Sequence, residues 1–220
     1  MVYSKPMYDV DLIIFDVDGT LVDSAQDLIA SVNVTLESIG LPREDPDVVQ
    51  SYIGDGVRKL VERALGQEQQ RLYPRAVEVF RKHYDEHLLD HTRLYPGIEE
   101  VLAHFSHKKK AVLTNKSYGF TVKILKGLNI LQNFEEVVGA DTTPYLKPEP
   151  YGIFRIIEDL RVRRERTVMI GDGVKDIEAA KSAGIKSCGV LYGYTNRERL
   201  LNVSPDFLCE KIQDLKGILF

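Results

Sequence analysis

Short apolar runs rich in β-branched residues and bounded by turn residues recur along the chain, at Leu12 to Asp16, Ala111 to Thr114, Glu136 to Ala140, Thr167 to Gly171, Ser187 to Tyr192 and Phe207 to Cys209. A run this short that is apolar throughout has no solvent-facing side, which suits a strand covered on both faces. Between most of these runs the apolar residues change to helical spacing, as in Val122, Leu125, Leu128 and in Ile153, Ile156, Ile157, Leu160. Doubly covered strands joined by helices are what a parallel sheet with crossover connections requires. The predicted fold class is α/β, a doubly wound parallel sheet.

One connection breaks the alternation. Roughly 70 residues between the first and second runs contain no convincing strand, too many for a loop in a compact domain. Helical signals fill them. Ser24 is placed to cap a helix whose face carries Leu28, Val32, Leu36 and Ile39, with Gly40 just past its end. Further helices fit Val57 to Leu65 and Glu68 to about Leu89, and Tyr95-Pro96-Gly97 turns the chain back. The expected organisation is a core of residues 1–21 and 95–220 and an inserted α-helical domain of residues 22–94.

With 29 basic and 33 acidic residues the net charge is -4, which disfavours a dedicated surface for nucleic acid or anionic membrane. Met1 to Asp11 has no apolar h-region, and no run is long enough to cross a bilayer. Cys188 and Cys209 stand alone in apolar segments and read as buried thiols of a reduced compartment. A cytoplasmic protein without nucleic-acid or membrane partners is therefore expected, as monomer or dimer.

The chemistry-bearing residues fall where apolar runs end, which is where ligands bind in an open α/β sheet. In Phe15-Asp16-Val17-Asp18-Gly19-Thr20, the Gly19 turn lets Asp16 and Asp18 point into one crevice. Adjacent carboxylates repel unless a cation or a shared proton intervenes, so the pair suggests a hard metal ion or acid/base work. A second pair, Asp172 and Asp176 in Ile170-Gly171-Asp172-Gly173-Val174-Lys175-Asp176, is spaced to lean toward one point if the turn is helical. The lesser alternative for Asp176 is an acidic residue complementing a helix dipole. Thr114 and Asn115 end another run, and Lys147 is framed by Pro148 and Pro150. Hydroxyl, amide and ammonium donors of this kind are what a phosphate needs.

Taken together and in this order, the four strings resemble the motifs of the haloacid dehalogenase-like superfamily, with Asp16-Val17-Asp18-Gly19-Thr20-Leu21-Val22-Asp23-Ser24 typical of its phosphoglycolate-phosphatase-like members. The resemblance covers essentially the whole chain and departs at Gly173, where many members carry Ser. It implies a Rossmann-like core with a helical cap and a magnesium-dependent phosphomonoesterase. Asp16 would be the nucleophile that becomes phosphorylated, and Asp18 the general acid and then the base. Magnesium would be held by Asp16, Asp172 and the main-chain carbonyl of Asp18, with Asp176 orienting Lys147 or metal-bound water. Thr114, the Asn115 amide and Lys147 would take the phosphoryl oxygens. The demand is physical: a carboxylate about 4 Å from a phosphate dianion faces roughly 8 kcal/mol of repulsion at an effective dielectric near 20. Asp at position 18, where dehalogenases usually have Tyr and transport ATPases Thr, favours a small leaving alcohol.

The resemblance gives 2-phosphoglycolate as the leading substrate. A hexose phosphomutase and phosphatases for pyrophosphate, nucleotides or sugar phosphates are the alternatives, and a receiver-like phospho-acceptor is the non-enzymatic one. For recognition of the small phosphorylated metabolite, Gly54 and Arg58 in Tyr52-Ile53-Gly54-Asp55-Gly56-Val57-Arg58 are expected to meet its carboxylate or hydroxyls. His83, His87 and His91 recur every four residues. They are read as one partly solvated helix face, although i, i+4 histidines can bind zinc. Arg161-Val162-Arg163-Arg164-Glu165-Arg166 is read as a solvated loop.

Overall fold

The structure is a computed structural model and describes residues 7–220. The part of the N-terminal reading that concerns residues 1–6 lies outside the described residues. In chain order the elements are β1 (Leu12–Phe15), β2 (Val22–Asp23), α1 (Ala25–Ser38), α2 (Pro46–Gln50), α3 (Gly56–Leu65), α4 (Tyr73–His87) and β3 (Arg93–Leu94). Then follow α5 (Ile98–His104), β4 (Lys109–Leu113), α6 (Tyr118–Gly127), β5 (Glu136–Val138) and α7 (Tyr151–Asp159). The chain closes with β6 (Thr167–Gly171), α8 (Val174–Ala183), β7 (Lys186–Val190), α9 (Arg197–Asn202) and β8 (Phe207–Cys209).

Six strands form one parallel sheet in the order β5-β4-β1-β6-β7-β8. β1 is central, and its alternating side chains go to opposite layers. Ile13 and Phe15 join the cluster that reaches Leu28, Val32 and Phe80 of the helical insertion, while Leu12 and Ile14 pack with Ile153, Ile156 and Met169. Burial on both faces explains why the strand runs lack polar alternation.

Several boundaries differ from expectation. The run at Ala111 begins earlier, at Lys109, because Lys110 is buried with its ammonium donating to the carbonyls of Phe105 (2.9 Å) and Lys108 (2.7 Å), so a charged residue hides the strand's start. Within 22–94 there are two short strands, β2 and β3, which pair antiparallel (Val22 with Leu94, Asp23 with Arg93) where the chain leaves and rejoins the sheet. Two residues carry no periodicity to detect. The helix expected from Glu68 to Leu89 is a 3-10 turn, Gln67–Leu72, followed by α4, with Pro74 in the first turn of α4. α2 begins after Asp45, whose side chain accepts from the Asp47 amide (2.8 Å), a short element that the apolar pattern passes over. Ser24 does precede α1, but it makes no side-chain cap; its hydroxyl is engaged in the site described next. On α6 the buried face is Phe120, Thr121, Ile124 and Leu125, rotated from the expected Val122-Leu125-Leu128 stripe.

Candidate active site

The strand order reverses at β1, so the C-terminal ends of β1, β4 and β6 lie side by side and deliver Asp16, Thr114 and Asp172 to one crevice. Asp176 follows in the first turn of α8, and Lys147 enters from the loop between β5 and α7. Asn115 fixes that loop with both ends of its amide. Its Oδ1 accepts from the Lys147 amide (2.9 Å), and its Nδ2 donates to the Lys147 carbonyl (3.1 Å). The Asn115 side chain is thus a brace, and only its main-chain amide is left for a ligand.

Lys147 is buried between two carboxylates, 2.9 Å from Asp16 Oδ1 and 2.5 Å from Asp176 Oδ1. Burial disfavours its charge, but Asp16 and Asp176 outweigh burial and hold the ammonium above the usual lysine range. The second oxygen of Asp176 accepts from the Gly173 amide (2.9 Å), so the carboxylate both opens α8 and holds Lys147. Asp172 is gripped at both oxygens: Thr20 donates to Oδ1 (3.1 Å), and the Tyr194 amide donates to Oδ2 (2.8 Å). Gly19, with φ +79, brings the turn so close that a Cβ there would lie 2.5 Å from Asp172 Oδ2.

Oxygens of Asp16, Asp172 and Asp176 lie within 4.8 Å of one another, the only such grouping of three ligating side chains among the described residues. Asp16 Oδ1 is buried and, apart from its ion pair with Lys147, lacks a hydrogen-bond partner there. Burial, then the neighbouring Asp16 and Asp176, push the Asp172 carboxyl up to about 7; burial also raises Asp176 against the pull of Lys147. Three crowded acids facing one ammonium are short of positive charge, and an oxygen-ligand set of this kind fits a hard divalent cation.

Asp18 faces away from this cluster. Both its oxygens lie 3.0 Å from Lys116 Nζ, and Oδ1 also accepts from Ser24 (2.5 Å). Lys116 in turn donates to the Tyr84 hydroxyl of α4 (2.8 Å) and lies 4.7 Å from that ring's centre. Burial pushes the Tyr84 phenol up to about 12, so it stays neutral. Tyr84 stacks on Phe80 of its own helix and meets Phe120 of α6 edge-on, with ring centres 5.1 Å apart in the latter pair, which docks the insertion on the sheet layer.

A small pocket opens between the two parts. Leu28, Ile53, Val57 and Leu60 form its apolar wall; Asp16, Asp18, Thr114 and Lys116 form the polar one. Gly54 lines it, its carbonyl accepting from Asn115 Nδ2 (3.2 Å), and neighbouring Asp55 pairs with Lys175 of α8 and Arg63 of α3. Arg58 does not reach it. Its side chain lies on the outer face of α3, 77% exposed and 2.7 Å from Glu62, because the helical turn after Gly56 directs Val57 and Leu60 inward instead. The histidines also separate. α4 ends at His87, which stacks on His83; His91 lies beyond the helix, 2.9 Å from Asp27. Arg166 anchors Asp9 and Asp11 and so is no mere loop charge.

Sequence reasoning missed Thr20, Ser24, Tyr84 and Lys116 as site residues. Thr20 and Ser24 stand in the quoted motif string and Lys116 directly follows Asn115, whereas nothing local marks Tyr84, one residue from His83.

A family model described as haloacid dehalogenase-like hydrolase matches residues 13–190. The chain belongs to the haloacid dehalogenase-like hydrolase family. Among its relatives, a phosphoglycolate phosphatase of Aquifex aeolicus is 40% identical over 210 residues, covering 94% of this chain and 96% of that one. A phosphoglycolate phosphatase of Neisseria meningitidis is 38% identical over 216 residues, covering 94% and 92%. The crystal structure of a predicted phosphoglycolate phosphatase from Haemophilus somnus superposes with a TM-score of 0.89 at 30% identity over 95% of this chain and 97% of that one. No helix among the described residues is long and apolar enough to cross a membrane.

Proposed function

We propose that this family member is a magnesium-dependent phosphomonoester hydrolase that converts 2-phosphoglycolate to glycolate and phosphate. The observation that carries the reading is the division of labour between Asp16, which shares a crowded acidic centre with Lys147 and Asp172, and Asp18, which faces the pocket and Lys116. The names of the relatives in Aquifex and Neisseria support the substrate.

Asp16, Asp172 and the Asp18 main-chain carbonyl would hold the magnesium ion, with Asp176 beside them. When bound, the ion supplies positive charge that offsets repulsion between the Asp16 carboxylate and the phosphate. The remaining steps belong to the chain. Asp16 attacks phosphorus and the ester P–O bond breaks, leaving an aspartyl phosphate. Asp18 delivers a proton to the departing glycolate oxygen. It then takes one from the water that attacks the aspartyl phosphate, which releases inorganic phosphate and restores Asp16. Lys147 and Thr114 bind the phosphoryl oxygens throughout. The helical insertion acts as a cap whose wall of Leu28, Ile53, Val57 and Leu60 keeps bulk water from the intermediate.

The decisive experiment compares kcat/KM for 2-phosphoglycolate with sugar phosphates, nucleotides and pyrophosphate, with magnesium and with chelator, for the native protein and Asp16→Asn. Turnover should be greatest on phosphoglycolate, require magnesium and vanish in the variant. Activity surviving in Asp16→Asn would end the covalent mechanism, and a preference for another phosphate would end the substrate assignment.

A further inference from the structure

We propose that Lys116 is the receptor for the substrate's own carboxylate, moving from Asp18 to the ligand as it enters, so that the pocket selects short phosphorylated 2-hydroxy acids by charge. The inference rests on the reading of the site as a phosphoglycolate phosphatase and adds the element that distinguishes that acid from other phosphate esters.

The cations around the pocket leave one candidate. Lys147 does not line the pocket; it pairs with Asp16 and Asp176 and serves the phosphoryl oxygens. On α3, Arg58 and Lys59 both bind Glu62 at the outer surface, and Arg63 binds Asp55, as does Lys175 from α8. Among the described residues, Lys116 is the one basic side chain that lines the pocket, and its side chain is only 4% exposed. Water therefore contributes little to its solvation, and Asp18 and Tyr84 supply what partners it has.

Position supports the same assignment. A general acid must touch the ester oxygen, and in 2-phosphoglycolate the carboxylate carbon is two bonds from that oxygen. An ammonium 3.0 Å from both oxygens of Asp18 is therefore within hydrogen-bond reach of a carboxylate placed there. Asp18 keeps its bond from Ser24 when Lys116 turns to the ligand, so neither carboxylate is abandoned. A phosphate ester without a carboxylate brings nothing to draw the ammonium from Asp18 and forgoes the charge-assisted bonds that a carboxylate gains there. The apolar wall of Leu28, Ile53, Val57 and Leu60 also leaves little room for a long, hydroxyl-rich sugar.

The test compares kcat/KM for 2-phosphoglycolate and for ethyl phosphate, which replaces the carboxylate with a methyl group, in the native protein, Lys116→Met and Lys116→Arg. Both activities fall in Lys116→Met because Asp18 loses a partner. The ratio of phosphoglycolate to ethyl phosphate should fall in addition by roughly 10- to 100-fold, and Lys116→Arg should recover part of it. An unchanged ratio would overturn the proposal, since a residue that only positions Asp18 affects both substrates alike. If the native protein itself fails to prefer phosphoglycolate, the substrate reading fails first, and the two failures are thereby distinguished. Should Lys116→Met not fold, calorimetric titration of the native protein holding inorganic phosphate decides the matter. Glycolate should bind and ethylene glycol should not, and equal binding of the two overturns the proposal.

Discussion

Thr20 uses its hydroxyl twice on the same residue, donating to Asp172 Oδ1 and accepting from the Asp172 amide (3.0 Å). Thr20→Val keeps the shape and removes both contacts. Stability should fall by about 1–3 kcal/mol, read by chemical denaturation, and half-maximal activity should need about ten times more magnesium, because groups that orient a metal ligand matter nearly as much as the ligand. At this scale the sequence was most legible where chemistry crowds like charges together: Asp16, Asp18, Asp172 and Asp176 are anomalous at strand ends, and nothing but a cation or proton reconciles them. Lys116 and Tyr84 were not legible, since a lysine after a strand usually faces water and a tyrosine in a helix usually fills a core. Each acquires its role only because α4 crosses over the end of β4. At Gly173 a Cβ would lie 3.0 Å from Asp176 Oδ2, so the Ser that many family members carry there requires the carboxylate that holds Lys147 to give way slightly.

Two elements fix the insertion to the sheet layer, one at its root and one at its tip. At the root, buried Asp27 of α1 accepts from the amides of His91 and Thr92 and from the Thr92 hydroxyl, which binds the outgoing helix to the returning strand. Burial alone would raise this carboxyl, yet the bonds from Thr92 and His91 hold it below the usual carboxylate range. Its stabilisation is therefore present at neutral pH and is lost as pH falls through the lowered value. Asp27→Asn should cost about 1–3 kcal/mol at pH 7, and the gap between variant and native protein should narrow in strong acid, measured by urea unfolding across pH. At the tip, Gly56 has φ +81, and a Cβ there would lie 2.8 Å from the Asn115 carbonyl. Gly56→Ala should lift the loop carrying Ile53 and Gly54 and raise KM several-fold, while the melting temperature changes by only about 2–4 °C. The elements readable from sequence were those with enough residues to show a period. β2, β3 and α2 are too short for that, and only the pairing of Val22 with Leu94 shows why the insertion leaves and returns at one place.

Across the whole molecule, the acidic centre links stability to pH and metal. Without a cation, the Asp172 carboxyl keeps its proton up to about pH 7 in the folded protein, whereas it loses it near 3.8 when unfolded. Folding therefore retains a proton that the unfolded chain releases, and this contribution to stability is lost as pH rises from about 4 to about 7. Magnesium should reverse the loss: at a hundred times its Kd it adds about 2.7 kcal/mol, an upward shift in melting temperature of roughly 5–10 °C that Asp172→Asn should abolish. The parallel architecture was readable because doubly covered strands have a distinct composition, but strand order was not, since it is decided by where each helix packs. That order makes β1 central, with β4 and β6 as its neighbours. The strand synthesised earliest therefore waits with both edges bare until residues about a hundred and a hundred and fifty positions later emerge, roughly 10–30 s on a ribosome. Throughout that interval the nascent polypeptide holds Asp16 without Asp172 or Lys147. It is catalytically inert, and the edges of its first strand stay unpaired until β4 and β6 arrive.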